Sequence, residues 1–63
     1  MIIVMEQSAE EAQVQRVIET LVGVGYDVHR STGAAHTVLG AVGMPREPID
    51  PGTIELIPGV REV

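Results

Sequence analysis

The sequence predicts an α+β fold in which two helices cover one face of a four-stranded antiparallel sheet with strand order 4-1-3-2. Three observations lead to this prediction. Residues 1–5 and 37–43 are apolar at nearly every position, as in strands from the middle of a sheet. A more polar segment lies just before the second of these, as expected of an edge strand. Each apolar segment is followed by a helix start signal, which gives the order strand, helix, strand, strand, helix, strand.

The strand predictions rest on composition and alternation. Residues 1–5, MIIVM, are rich in β-branched types and predict a buried strand. Residues 37–43, TVLGAVG, are apolar on both faces apart from the threonine, which predicts a central strand. Residues 26–31 form the first strand of a hairpin and are predicted to lie at an edge, because four of them are polar: Asp27, His29, Arg30 and Ser31. In the connection, residues 32–36, we expect Gly33 to adopt the positive φ of a bulged hairpin loop.

The first helix has a start signal, an apolar stripe and a glycine stop. Ser8 lies three residues before Glu11, the spacing of a capping box, and Glu10 and Glu11 are expected to form a solvated first turn that complements the helix dipole. Either Gly23 or Gly25 can adopt the left-handed conformation that ends a helix. The stripe predicted to face the sheet follows helical spacing: Val14, Val17, Ile18 and Leu21.

The second helix is predicted to be short. The segment MPREPI after Gly43 contains two prolines and indicates an extended linker. Asp50 and Pro51 then form an N-cap and first helical position, and Pro58 with Gly59 ends the helix. Three side chains are expected to supply its apolar contacts: Ile54, Leu56 and Ile57. Residues 60–63 begin a fourth strand, and we expect residues 1–63 to be one domain of a longer protein, with that strand truncated.

This order of elements with right-handed crossovers is the ferredoxin-like βαββαβ sandwich. Its first and third strands form the central pair, and these are the two apolar segments. Two helices cover only one face of such a sheet. Because the central strands have no polar face, we expect the second face to be covered by another copy of the chain or by a neighbouring domain.

Composition excludes several classes of function. The net charge is −5, there is no basic cluster and Tyr26 is the one aromatic residue, which argues against binding nucleic acid. The N-terminal apolar run is too short for a signal peptide, no segment is long enough to span a membrane, and the absence of cysteine is compatible with the cytoplasm. We predict no cofactor and no metal site, since His29, His36 and Asp27 lack a ligand-type spacing. Adjacent Glu10 and Glu11 diverge on a helix, so we do not expect catalysis by this chain alone.

His29 and Ser31 are the candidate site residues. Two residues apart on a strand, they point to the same face, and Val28 and Arg30 point to the other. Val28 is the plausible inward residue, which leaves His29 and Ser31 on the face without helices. Their donors and acceptors suit the carboxylate or ammonium group of a small zwitterion. The alternative is that they are ordinary solvated polar residues of an edge strand.

Several segments together resemble a known family. MIIVM at the start, LVGVG at the helix end, VHRSTG with TVLGAVG in the hairpin, and LIPGVREV at the close resemble the N-terminal ferredoxin-like regulatory domain of 3-deoxy-7-phosphoheptulonate synthase (DAHP synthase) of the short microbial type. The resemblance covers nearly all 63 positions. In that family the domain precedes a (β/α)₈ barrel that condenses phosphoenolpyruvate with erythrose 4-phosphate in the shikimate pathway.

The resemblance implies feedback control. Such domains pair between subunits and bind tyrosine or phenylalanine at the pairing surface, using the histidine and serine that correspond to His29 and Ser31. The family loop commonly reads Gly-x-Glu-Arg-Thr, whereas residues 33–37 read GAAHT, with Ala34, Ala35 and His36. Met44 occupies a position that is usually acidic. The competing hypothesis is a module that forms homo-oligomers through its apolar sheet face without a ligand.

Overall fold

The six predicted elements are present in the predicted order. The computed structural model describes residues 1–63, with strands and helices β1 (Ile2–Met5), α1 (Glu11–Gly23), β2 (Asp27–Thr32), β3 (Thr37–Val42), α2 (Pro51–Glu55) and β4 (Val60–Glu62). All neighbouring strands are antiparallel and the sheet order is β2-β3-β1-β4, which is the predicted 4-1-3-2 order read from the other edge. The predicted α+β ferredoxin-like fold is therefore confirmed, with β2 at an edge. Neither helix has the length and apolar character needed to cross a membrane.

The core lies between the sheet and the two helices. Ile3 pairs with Leu39 across the central strands, and both side chains are fully buried. The eight buried residues come from the same face of β1 and β3 and from both helices: Ile3, Met5, Val14, Val17, Leu21, Leu39, Ala41 and Ile54. The stripe predicted for α1 accordingly faces the sheet, with Ile18 half-buried at its margin.

The start of α1 differs from the prediction. The prediction of a capping box between Ser8 and Glu11 is wrong, because Ser8 lies in a turn after β1. In this turn the Ala9 N–H donates to the Glu6 carbonyl at 3.0 Å. The N-cap is Glu10, whose N–H donates to Gln13 Oε1 at 2.9 Å. Glu10 and Gln13 have the same capping-box spacing as Ser8 and Glu11. Because the turn after β1 includes Ser8, the helix begins after Glu10 instead.

The end of α1 distinguishes the two candidate glycines. Gly25 has a φ of +108°, its N–H donates to the Val22 carbonyl, and the Tyr26 N–H donates to the Leu21 carbonyl, both at 3.1 Å. This pair of bonds is a Schellman motif, in which Gly25 is the left-handed residue after the helix. A Cβ at Gly25 would lie 3.3 Å from Pro45 Cα, so the linker after β3 also packs closely here.

Two further expectations are wrong. Ile54 is buried and Ile57 half-buried, but Leu56 is 83% exposed, because residues two apart on a helix lie about 200° apart around its axis. Gly33 does not have a positive φ. Its N–H donates to the His36 carbonyl at 2.9 Å, and the β2–β3 pairing continues to Thr32 and Thr37 without a bulge, so this four-residue loop needs no left-handed residue.

Candidate functional site

The sheet has one face without helices, which we call the open face. Its apolar centre consists of Ile2, Val4, Val38, Gly40 and Val42, and its β2 margin consists of Asp27, His29 and Ser31. These assignments follow from alternation, because the residues between them on β1 and β3 are buried beneath the helices. Ile2 and Val42 are 58% and 50% exposed. The second face predicted to be apolar is therefore present and open to solvent in the single chain.

His29 and Ser31 both lie exposed on the open face. His29 is paired with Gly40 of β3, and Gly40 is paired in turn with Ile2 of β1. Ser31 is paired with Val38, which is paired with Val4. Each of the two polar side chains therefore lies at the β2 end of a row of paired residues that crosses the open face from β2 to β1. On one strand, residues two apart are separated by about 7 Å, so one small ligand can contact both.

An ion pair holds the helix-facing side of β2. Arg30 lies between His29 and Ser31, and its two terminal nitrogens donate to the two oxygens of Glu11 at 2.6 and 2.7 Å. Gln15 Nε2 also donates to Glu11, at 3.0 Å. The hydrogen bonds from Arg30, and then from Gln15, lower the pKa of Glu11 from its ordinary value of 4.5 to about 2. Because Arg30 is held against α1, the side chains before and after it point to the open face.

Sequence reasoning missed this ion pair. It placed Glu11 in a merely solvated first turn, whereas Glu11 is 64% exposed but bonded to a residue 19 positions away. The available signal was alternation, which puts Arg30 on the same face as Val28 and thus towards α1.

The two histidines lie in different places. His36 is in the β2–β3 loop and is half-buried, with its Nε2 atom 3.2 Å from Arg61 Nη1 of β4. No three histidine, aspartate or glutamate side chains come together in a way that could hold a metal ion. The other positions that differ from the common family pattern are exposed: Ala34, Ala35 and, at 96%, Met44.

Comparison with known structures supports the fold. The chain is similar to the crystal structure of phospho-2-dehydro-3-deoxyheptonate aldolase (DAHP synthase) from Thermotoga maritima, with a TM-score of 0.86 and 21% sequence identity. The match covers 97% of this chain and 18% of that chain. At this level of identity the likeness shows a shared fold, and the 63 residues correspond to a small part of the longer protein.

Comparison with protein families is more specific. No curated protein matches the sequence at a significant level. A family model described as DAHP synthase ferredoxin-like domain matches residues 1–63, the whole of the chain. The resemblance seen in the hairpin and helix motifs thus extends over every element of the fold, and the chain belongs to the family of DAHP synthase ferredoxin-like domains.

Proposed function

We propose that this chain is the allosteric regulatory domain of a cytoplasmic DAHP synthase and that it binds an aromatic amino acid, tyrosine or phenylalanine, through His29 and Ser31. The observation that carries the proposal is the position of these two exposed polar residues, side by side at the margin of an apolar open face. In this proposal a catalytic barrel performs the condensation, and the 63-residue domain senses a product of the shikimate pathway.

The open face is chemically divided in the same way as the proposed ligand. The β2 margin offers the imidazole of His29, the hydroxyl of Ser31 and the carboxylate of Asp27. The imidazole and the hydroxyl together donate and accept hydrogen bonds and suit a zwitterionic head group. The centre offers only apolar side chains and the backbone at Gly40. An aromatic amino acid has a charged head and an apolar ring, so its head group would bind at the margin and its ring would cover the centre.

A second copy of the domain would complete the site. Ligand sites in proteins commonly bury roughly 70–90% of a small ligand, whereas an open sheet face contacts it from one side only. Pairing of two open faces would cover the ligand and would also bury Ile2 and Val42, which are about half exposed in the single chain. A two-fold arrangement would bring together two sets of His29 and Ser31 and so form two equivalent sites.

Feedback control then follows from linkage. A ligand that contacts both copies binds the paired state more tightly than the separate domains, and it shifts the equilibrium by that difference in affinity. Paired domains attached to their barrels would hold the enzyme in one arrangement, and separate domains would release it. The expected consequence for the chain itself is stronger self-association in the presence of the effector.

The second candidate function is homo-oligomerisation without a ligand. Exposed Ile2 and Val42 favour it, since they provide a reason to pair whether or not an amino acid is present. The two candidates differ in the effect of the ligand on association.

Calorimetric titration with tyrosine and with phenylalanine, together with sedimentation at matched concentrations, separates the two functions. We expect saturable heat and a shift to larger species with at least one amino acid. His29→Ala and Ser31→Ala should remove the heat, while Ser8→Ala, which alters the other serine of the chain in an exposed turn, should bind as wild type. Self-association that is unchanged by either amino acid, with no heat of binding, would favour the ligand-independent module.

A further inference from the structure

β4 is the most weakly paired strand of the sheet. It has three residues, and it forms two residue pairs with β1, Val4 with Glu62 and Met5 with Val60, with a shift of register between them. By comparison, β2 and β3 form six residue pairs in unbroken register. A short edge strand with a shifted register gains little from its backbone ladder, so side-chain contacts are important in holding β4 on the sheet.

The β2–β3 loop contacts β4 through one pair of polar side chains. Nη1 of Arg61 lies 3.2 Å from Nε2 of His36, although the two residues are 25 positions apart in the chain. His36 directly precedes β3, and β3 is separated from β4 by β1, that is by two strand spacings or about 9.5 Å. The two long side chains therefore reach past β1, and their contact joins the β2–β3 hairpin to the opposite edge of the sheet.

Each of these two side chains depends on the other for its polar contact. The one ion pair of the chain joins Glu11 and Arg30, so the Arg61 guanidinium has no carboxylate at ion-pair distance. Because a guanidinium has only donors, Nε2 of His36 is the acceptor, and the proton of the neutral imidazole is on Nδ1. Nδ1 is buried and has no hydrogen-bond partner in the chain. Arg61 is thus the polar group that holds the His36 ring, and His36 is the group that holds Arg61.

We propose that His36 and Arg61 form a latch that couples the conformation of the β2–β3 loop to the docking of β4 on β1. This inference goes beyond the proposed function and does not depend on ligand binding. With the latch closed, the loop and β4 hold each other in place. With either side chain removed, both segments open more often while α1 and the central strands stay folded. The coupling is reciprocal, because a contact by which the ordered loop favours docked β4 must equally let docked β4 favour the ordered loop.

Two backbone amides report the two sides of the latch. The Glu6 N–H donates to the Gly59 carbonyl at 2.7 Å, directly before β4, and the Gly33 N–H donates to the His36 carbonyl at 2.9 Å in the loop. Native-state hydrogen exchange followed by NMR measures how often each of these bonds opens. We expect Arg61→Ala to accelerate exchange at Gly33, and His36→Ala to accelerate exchange at Glu6, each by about fivefold, as the loss of one hydrogen bond predicts. Neither reporter amide adjoins the substituted residue, so its intrinsic exchange rate is unchanged.

The controls separate a latch from a general loss of stability. Arg16→Ala removes the same charge from an exposed arginine of α1 that forms no ion pair, and it should leave both reporter amides unchanged. The double variant His36→Ala with Arg61→Ala should exchange no faster than either single variant, since one contact can be lost only once. Amides at the centre of α1 should keep their wild-type rates. Equal acceleration at every amide, additive effects in the double variant, or unchanged rates at Glu6 and Gly33 would each overturn the inference.

Discussion

Replacement of Ile54 by alanine tests how strongly the small core depends on α2. Ile54 is the buried residue of this five-residue helix, and its side chain is fully shielded from solvent. Complete burial of an aliphatic side chain of this size contributes about 1.5–3 kcal/mol. The cavity left by truncation adds to this loss, so isoleucine-to-alanine changes in cores cost about 2–5 kcal/mol.

The expected loss is large relative to the total stability. At about 0.05–0.15 kcal/mol per residue, 63 residues correspond to a free energy of unfolding of about 3–9 kcal/mol. Ile54→Ala should therefore remove about a fifth of the stability or more, and in a chain at the lower end of this range it should unfold the domain at room temperature. The core has eight buried residues, so few other contacts can compensate.

Urea unfolding followed by far-UV circular dichroism, at one protein concentration for all variants, measures this loss. The matched control is Leu56→Ala, since Leu56 follows the same helix but is 83% exposed. We expect it to change the free energy of unfolding by less than about 0.5 kcal/mol. The urea dependence, m, should be the same for both variants, so that the shift in midpoint reports stability alone.

Two results would refute the reasoning. Equal losses for Leu56→Ala and Ile54→Ala would mean that Leu56 supplies apolar contacts as Ile54 does, which is what the sequence alone predicted. A loss below about 0.5 kcal/mol for Ile54→Ala would mean that the second helix does not contribute to the cooperative core.

Two further predictions concern the ends of α1. Gly25→Ala should lower the free energy of unfolding in urea by about 1–2 kcal/mol, because it forces a residue with a Cβ into the left-handed region and against Pro45. The control, Gly23→Ala, should be neutral or slightly stabilising. Equal effects of the two changes would contradict the Schellman assignment. The lowered pKa of Glu11 means that its ion pair with Arg30 stabilises the fold above about pH 4.5 and loses this effect as the pH falls towards 2. Glu11→Gln should therefore lower the urea midpoint slightly at about pH 6 and not at about pH 2, and a constant difference between these pH values would contradict the assignment.

The parts of the fold that sequence predicted well are those that depend on neighbours in the chain. The apolar runs of β1 and β3, the polar character of β2 and the proline at the start of α2 are local signals, and the element order follows from them. Alternation along β2 also indicated that His29 and Ser31 share a face, and that Arg30 lies on the other.

The errors of prediction arise where a local signal has more than one solution. Ser8 and Glu10 both begin a capping spacing, and the turn that leaves β1 selects Glu10. Ile54 lies in α2 and Leu56 directly follows it, and the packing of α2 on the sheet decides which of the two apolar side chains is buried. Gly33 can adopt a left-handed conformation, but the hydrogen bond that closes its loop does not need one.

By itself, the sequence determined the order of strands and helices, the strand at the edge and the face on which His29 and Ser31 lie, because periodicity and propensity act over a few residues. Only the tertiary structure decided which partners meet across the chain, such as Glu11 with Arg30 at a separation of 19 residues and His36 with Arg61 at 25. It also showed that Gly40 lies opposite His29 with room for a side chain that the sequence does not provide. Such contacts depend on sheet register and helix packing, which no local pattern specifies.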